Sequence, residues 1–470
     1  MSPQTFAPRN IFEPFRLKNL ELKNRVLRSS VGGRMAGYNG VVTSTWKNFE
    51  KRFAAGGVGA IISTTFDVNK HRQSPFEYPS LADNSNIGPL RHYLNEIRDT
   101  GCKYIIQIGD PGYATQTSLF PEREDGFSSS AGFDLLYGYT NCRVQMRHQN
   151  ILQTIQEFTD AAGRVRDAGA DGLEVTAEKG YMIHQFLNPG MNRRTDDWGG
   201  DPDRRFRLLE EIVKSIRKRV GTDFLFGIRF SAVDFNHLPT QNFIFRLPWV
   251  FPWRHHWMGN GLDQTLEYGK RLRELGVDYL HITSGFGFIN PRGNPGSFPV
   301  EEIKLFCNAT RRLGAKACAR SVMLNCIPTP IARWLFNIGW PGEGPKNREA
   351  INLGFAEQFK RQVGLPVIAN GGFRNGAVID GALDGRCDLV SMARALIATP
   401  CLVDDYFRKG LTEPEPAPRS HFAPVAKEYA CTYCNRCCAR TATSPLGCYE
   451  TRRFVNLKSM IEQIMDCNRP

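Results

Sequence analysis

The chain has 470 residues, of which 41% are hydrophobic and 23% charged, a composition typical of a globular protein with one large domain or two ordinary ones. The formal net charge is +13, but the lysines and arginines are scattered among acids instead of forming a basic tract, which argues against nucleic-acid binding. No apolar run reaches the roughly 18 residues of a membrane span, and the first residues lack the apolar stretch of a secretory signal. We therefore expect a cytoplasmic protein that acts on a small molecule, alone or as a homo-oligomer.

Short β-rich runs alternate with amphipathic helical segments along most of the chain. The runs predict eight strands, at 25–30, 58–64, 103–109, 170–176, 224–231, 277–284, 365–370 and 386–393. The clearest helices are predicted at about 151–168, from apolar residues at helical spacing, and at about 202–219, after the N-cap pair Asp201-Pro202. Eight alternating units without an early GxGxxG turn favour a closed (β/α)8 TIM barrel over an open sheet.

Two segments depart from this repeat, and a third follows it. Residues 236–262, dense in Phe, Trp and Pro, come after the fifth strand, and residues 286–346 come after the sixth. Loops at the carboxyl ends of barrel strands build active sites, so the aromatic insertion is either a lid over an extended substrate or a packed surface cap. A Pro-rich linker then leads into a cysteine-rich tail, which divides the chain into a barrel over 1–410 and an extension over 411–470.

The ends of the last two predicted strands carry residues suited to a phosphate. Asn370 is followed by Gly371 and Gly372, whose missing side chains let backbone N–H groups approach phosphate oxygens. The eighth strand ends in Ala393-Arg394, and arginine offers a charged fork for the same group. Because barrel enzymes commonly bind phosphate in these two loops, the pair predicts a phosphorylated ligand.

Polar residues also stand in two otherwise apolar strands and in the loop after the fourth. Inside a barrel, Gln107 and Arg229 need partners, either each other and acids or the polar edge of a bound ring. Thr176 and Lys179 could hydrogen-bond a substrate carbonyl or carboxylate, and Tyr181 could protonate a developing carbanion. Taken singly, residues of these three types are more often structural than catalytic.

Cysteines concentrate near the end of the chain. Thirteen are present, and four follow the spacing Cys431-x2-Cys434-x2-Cys437-x10-Cys448, with Cys438 as a fifth in the same stretch. Four thiolates at short spacing fit an iron–sulfur cluster or zinc, and a cysteine segment that holds no metal is the third alternative.

Six stretches are specific when taken together in this order: IFEPFRLKNLELKNRV, AAGGVGAII, GYMIHQFLNPGMNRRTDDWGG, LHITSG, VIANGGF and LVSMARALIATP. Through them, residues from about 11 to 410 resemble the Old Yellow Enzyme family of FMN-dependent reductases. The resemblance implies a (β/α)8 barrel that binds FMN at the carboxyl ends of its strands and takes reducing equivalents from NADH or NADPH.

The resemblance also implies roles for individual positions. It places cofactor contacts at Ser29, Ser30, Val31, Gly32, Thr65, Gln107, Arg229, Gly371, Gly372, Ala393 and Arg394. Arg229 would lie near the N1–C2 carbonyl edge of the flavin, and the last four residues would bind its phosphate. Tyr181 matches the proton donor, while Thr176 and Lys179 match the pair that grips the substrate carbonyl.

Some positions depart from the family pattern. The gripping pair is normally His with His or Asn, and Ser30 stands where the family has Pro. The cysteine segment is similar to that of the larger relatives 2,4-dienoyl-CoA reductase and trimethylamine dehydrogenase, in which a four-iron cluster passes electrons to FMN. Those relatives carry a second nucleotide-binding domain, which we expect this chain to lack.

The main functional prediction is an ene reductase, in which reduced flavin passes hydride to the β-carbon of an alkene conjugated to a carbonyl. The aromatic insertion suggests a substrate larger than a simple enone, such as an intermediate of secondary metabolism. Two alternatives stay open. One is flavin-dependent oxidation or demethylation of an amine, which the cysteine segment favours. The other is a catalytically inactive barrel that serves as a binding protein, which the substituted gripping pair favours.

Overall fold

The computed structural model of the chain describes residues 4–37, 39–74, 77–115, 126–134, 142–234, 254–256, 258–287, 296–297, 299–339, 349–417 and 429–466. Its strands are β1 (Phe15–Leu17), β2 (Leu20–Leu22), β3 (Val26–Arg28), β4 (Ala60–Ile62), β5 (Phe66–Asp67), β6 (Lys103–Gly109), β7 (Gly126–Ser128), β8 (Arg143–Gln145), β9 (Gly172–Ala177), β10 (Leu225–Ser231), β11 (Tyr279–Thr283), β12 (Val367–Ala369) and β13 (Leu389–Met392). Its helices are α1 (Ser44–Ala55), α2 (Ile87–Arg98), α3 (His148–Asp167), α4 (Met182–Leu187), α5 (Pro202–Val220), α6 (Leu262–Glu274), α7 (Val300–Thr310), α8 (Ala315–Asn325), α9 (Thr329–Gly339), α10 (Leu353–Val363), α11 (Gly376–Leu383), α12 (Arg394–Ala398), α13 (Arg436–Ala439) and α14 (Leu457–Met465).

Eight parallel strands of the described chain form one closed sheet. The order is β4, β3, β13, β12, β11, β10, β9 and β6, and β4 pairs back onto β6. Helices follow each strand, so the alternation read from the sequence produces the predicted TIM barrel, and that prediction is confirmed. All eight predicted strands are present, although several ladders cover only the middle of the predicted run.

Strand alternation divides the barrel interior into two zones. Towards the amino ends of the strands the interior is apolar, and the hairpin of β1 and β2 adds Leu17 and Leu22 to this cluster, closing that end. Towards the carboxyl ends the same faces turn polar, since Gln107 pairs in register with Glu174, and Arg229 pairs with Thr176 and His281. The core between the sheet and the helices is formed by aliphatic and aromatic side chains such as Trp46 and Phe158.

The two insertions differ in how much of them is described. Helices α7, α8 and α9 belong to the insertion after β11, where the sequence suggested no particular structure. Of the aromatic insertion, residues 235–253 and 257 lie outside the described residues, so the lid hypothesis for 236–262 stays a prediction. Within the described chain, no helix is both long and apolar enough to cross a membrane.

Candidate active site

Gln107, near the end of β6, occupies the centre of the polar layer. Its side-chain oxygen accepts hydrogen bonds from the hydroxyls of Ser30, at 2.9 Å, and Thr65. Its amide nitrogen donates to Glu174 Oε1 at 2.6 Å, which fixes the orientation of the amide. The structure therefore brings Ser30, Thr65 and Gln107 together, as the sequence predicted for a flavin site.

Arg229 lies beside this group at the end of β10. Its Nη1 donates to the carbonyl oxygen of Ser30 at 3.3 Å, and its Nε is 2.8 Å from Glu178 Oε1. The Nε–H bond does not point at that oxygen well enough for a hydrogen bond, and Glu178 Oε2 has no hydrogen-bond partner among the described residues. Arg229 and Glu178 are both buried, so their charges act on each other and on their surroundings with little screening.

The loop after β9 carries the three predicted catalytic residues. Lys179 and Gly180 both adopt left-handed backbone conformations, with φ of 55° and 79°, and Tyr181 then begins helix α4 as its N-cap. His184 stabilises this turn. Its Nδ1 accepts from the Gly180 N–H at 2.9 Å, and its Nε2 lies 2.7 Å from Asp234 Oδ1. His184 thus has a structural role in this turn.

Lys179 is buried, and its Nζ donates to the carbonyl oxygen of Ser284. The pKa of Lys179 is lowered to about 8, mainly by burial, with the charge of Glu178 opposing the shift and those of Arg229 and Arg394 adding to it. Tyr181 is half-buried, and Thr176 is buried with its methyl group facing Gly109, where an added Cβ would come within 2.4 Å.

The segment after β3, predicted to lie along the cofactor, is fixed by local contacts. The Ser29 N–H donates to Met392 O at 2.8 Å, and Val31 O accepts from Arg28 Nη2 at 3.0 Å and from the Thr64 hydroxyl at 2.9 Å. A Cβ at Gly32 would lie 2.3 Å from the Thr64 methyl group, so only glycine fits there without displacement.

The predicted phosphate loops meet at the carboxyl ends of β12 and β13. Gly371 and Gly372 have φ of 116° and 81°, a region that glycine alone enters freely, and Ala393 directly precedes Arg394 at the start of α12. Two residues of the C-terminal extension contact this site. The Tyr433 hydroxyl donates to Gly372 O at 2.6 Å, and Arg394 Nη1 donates to the side-chain oxygen of Asn435.

Several residues of the polar layer were missed by the sequence reasoning. Glu174 Oε2 accepts from the Tyr279 hydroxyl at 3.1 Å and lies 3.1 Å from His281 Nδ1, while His281 Nε2 lies 2.8 Å from the Ser391 hydroxyl. Burial raises the pKa of Glu174, but the charges and hydrogen bonds of His281, Arg229 and Gln107 outweigh it, and the net shift is downward. The sequence carried a signal for two of them. Glu174 and His281 are polar residues in apolar strands, as Gln107 and Arg229 are.

The metal role predicted for Cys431, Cys434, Cys437 and Cys448 stays a prediction. No group of three or more His, Cys, Asp or Glu side chains in the described part of the chain is placed to hold a metal ion. Burial raises the pKa of Cys434 to about 12, with Cys448 and Cys431 among the groups that add to the shift. Arg453 Nη1 contacts Cys448 Sγ at 2.9 Å, and the Cys437 and Cys438 sulfurs are 3.9 Å apart. We assign no electron-transfer step to these cysteines.

The residues at the barrel mouth do fit a flavin mononucleotide. The amide of Gln107 and the guanidinium of Arg229 match the carbonyl and N–H groups of a flavin ring edge, and the left-handed glycines with Arg394 match its phosphate. Glu178 Oε2, buried without a hydrogen-bond partner in the described structure, indicates that the polar layer is not complete by itself.

Comparison with known proteins decides the family. Residues 10–242 match the sequence pattern of the NADH:flavin oxidoreductase / NADH oxidase family. An NADPH dehydrogenase from Bacillus subtilis (strain 168) is 30% identical over 285 residues, which cover 59% of this chain and 74% of that protein. The chain belongs to this family. FMN is thus the family cofactor, with NADH or NADPH as the reductant, and the resemblance read from the sequence is confirmed.

Two further relatives define the extent of the match. A multifunctional alkene reductase/demethylase from Caballeronia cordobensis is 27% identical over 403 residues, covering 84% of this chain and 48% of that protein. The solved structure of a 2-naphthoyl-CoA reductase superposes with a TM-score of 0.72 at 21% identity, covering 97% of this chain and 58% of that one. The chain spans about half the length of several curated relatives, at 50%, 47% and 46% of theirs.

Proposed function

We propose that this chain reduces a C=C bond conjugated to a carbonyl group, with FMN as cofactor and NADH or NADPH as reductant. The observation that carries the proposal is the placement of Lys179 and Tyr181 on one turn after β9, next to the Gln107 and Arg229 layer. The printed name of the Caballeronia relative, an alkene reductase, supports the same chemistry.

In this proposal the protein binds the substrate oxygen and moves one proton. FMN, when bound, supplies the hydride. Lys179 and Thr176 hold the carbonyl oxygen and withdraw charge from the alkene, and Tyr181 donates the proton to the α-carbon. Gln107, Ser30 and Arg229 orient the ring edge, and Gly371, Gly372, Ala393 and Arg394 hold the phosphate. A cation at Lys179 favours a substrate whose oxygen becomes strongly negative, such as an acid, an ester or a thioester.

The Tyr181→Phe variant tests the proton-donor role. Stopped-flow absorbance at the flavin band measures reduction by NADPH and reoxidation by the alkene separately, with 2-cyclohexenone and cinnamaldehyde as probes. We expect Tyr181→Phe to slow reoxidation by about 100-fold or more, within the usual range of general acid catalysis, and to leave flavin reduction unchanged. Equal rates in both half-reactions would remove Tyr181 from this role.

Tyr93→Phe is the matched control, because Tyr93 lies on α2 at the outside of the barrel, where it packs against Trp46. Both half-reactions should keep their rates in this variant. A purified native protein that carries no flavin and does not bind added FMN would reject the proposal as a whole and favour the inactive barrel.

A second candidate function is oxidation or demethylation of an amine. It is favoured by the word demethylase in the name of the Caballeronia relative. Trimethylamine and histamine would then bleach the flavin without air and without NADPH, whereas an ene reductase would show no change.

A further inference from the structure

Glu178 is a buried carboxylate at the barrel mouth that none of the roles above uses. It lies two residues after Thr176 and one before Lys179, and only 4% of its surface is exposed. Its Oε1 is 2.8 Å from Arg229 Nε, and its Oε2 has no hydrogen-bond partner in the described part of the chain. A carboxylate buried this deeply is normally paired with a cation or satisfied by several hydrogen bonds.

Three of the charges around Glu178 are positive. Lys179 responds electrostatically to Arg229 and Arg394 as well as to Glu178, so these four groups share one environment of low polarity. Arg229 is the cation expected at the N1–C2 carbonyl edge of the flavin. Glu178 therefore offsets part of the positive charge that Arg229 would present to the ring.

We propose that Glu178 is a positioning residue that lowers the reduction potential of the bound flavin by acting as counter-ion to Arg229. The inference rests on the proposed function for the presence of FMN. A reduced flavin carries more negative charge at the N1–C2 edge than an oxidised one, so a cation there stabilises the reduced form and an anion destabilises it. Glu178 would thereby make the reduced ring a stronger hydride donor towards the alkene and less readily formed from NAD(P)H.

The test is the midpoint potential of FMN in the holoprotein, measured by equilibration with a reference dye in anaerobic solution. We expect Glu178→Gln to shift the potential in the positive direction and Glu178→Asp, which keeps the charge, to stay near the native value. Glu178→Ala is the second variant, because it removes the same charge without introducing an amide donor. Since the pair is buried, the shift should persist at high ionic strength.

Asp278→Asn provides the matched control, since Asp278 pairs with Arg217 at 2.6 Å directly before β11, at the amino end of the barrel. The midpoint potential of FMN in this control variant should equal the native value. Stopped-flow measurement adds an independent readout, in which Glu178→Gln should speed or preserve reduction by NADPH while slowing reoxidation by the alkene.

The outcomes separate this inference from the proposed function. A potential unchanged or more negative in both charge-removing variants overturns the role of Glu178 while leaving ene reduction standing. A positive shift in a protein that reduces no alkene supports the role of Glu178 and rejects the proposed reaction. A native protein that binds no FMN overturns both.

Discussion

At the residue scale, the site depends on a buried carboxylate that no ligand is expected to touch. Glu174 accepts from the Gln107 amide, so the Gln107 oxygen has to face Ser30 and Thr65. His281 and the Tyr279 hydroxyl satisfy the rest of the Glu174 carboxylate. A fully satisfied buried network of this kind fixes one rotamer for each member, which a loop residue could not do alone.

The lowered pKa of Lys179 predicts how the reaction depends on pH. Below about pH 8 the amine carries a proton and donates a charge-assisted hydrogen bond, and above it that charge is lost. The rate of flavin reoxidation by the alkene should therefore fall as pH rises through about 8, while the rate of reduction by NADPH should change less over the same range. A Lys179→Met variant should be reoxidised more slowly at every pH, and its rate should show no fall near pH 8. A native profile that stays flat from about pH 7 to 9 would contradict the role of Lys179.

Some of these residues were predictable from the sequence and others were not. A polar side chain in an apolar strand marked Gln107 and Arg229, because the inside of a barrel leaves such a group few partners. The contacts of Tyr433 and Asn435 with the phosphate loops depend on how a distant segment folds back, and no periodicity encodes this. Glu178 was overlooked because its partner Arg229 lies about fifty residues away in the chain and meets it only across the β9–β10 ladder.

At the element scale, N-cap residues predicted where helices begin more accurately than hydrophobic periodicity predicted where strands end. Helix α5 begins at Pro202, directly after Asp201, as the sequence predicted. Strands β3, β4 and β12 are only three residues long each, shorter than the runs predicted for them. The hairpin of β1 and β2 was not predicted, because Leu17 and Leu22 occur in a short segment that resembles a connecting loop.

The cap of α5 gives a prediction for stability. Asp201 accepts a hydrogen bond from the Arg204 N–H at 2.9 Å, so Asp201→Ala leaves that donor without its side-chain partner. We expect a loss in the free energy of unfolding of the size typical for removal of an N-cap residue, measured by urea titration of the far-ultraviolet circular dichroism signal. Asp197→Ala removes an exposed carboxylate that pairs with Arg207 at 3.2 Å and should change stability by less than about 0.5 kcal/mol. Equal losses in the two variants would show that the cap has no special effect.

At the scale of the whole molecule, the C-terminal extension is bound to the barrel at the end that carries the site. Arg374, after β12, pairs with Glu413 and donates to Cys431 O, while Arg436 and Arg440 both reach Glu302 on α7. The extension therefore joins the carboxyl ends of β12 and β13 to the insertion after β11. Composition marked the boundary near residue 410, but it could not show that the tail returns to the mouth.

Arg453 anchors this arrangement and provides a prediction about it. It is buried, and it donates to Tyr429 O at 2.6 Å and to Ala398 O at 2.7 Å, so it ties the tail to α12. Replacing it with Met leaves both acceptors unsatisfied. This should lower the free energy needed for local opening of the tail by about 3 kcal/mol.

This loss corresponds to about 100-fold faster hydrogen exchange for protected amides of 429–466, with amides of β9 to β11 unchanged. Lys458→Met is the control, because Lys458 on α14 is exposed and lies 3.9 Å from the exposed carboxylate of Glu462. If Arg453→Met instead raised exchange equally in the barrel strands, the tail would be an integral part of the barrel core, and the division near residue 410 would have no meaning for stability.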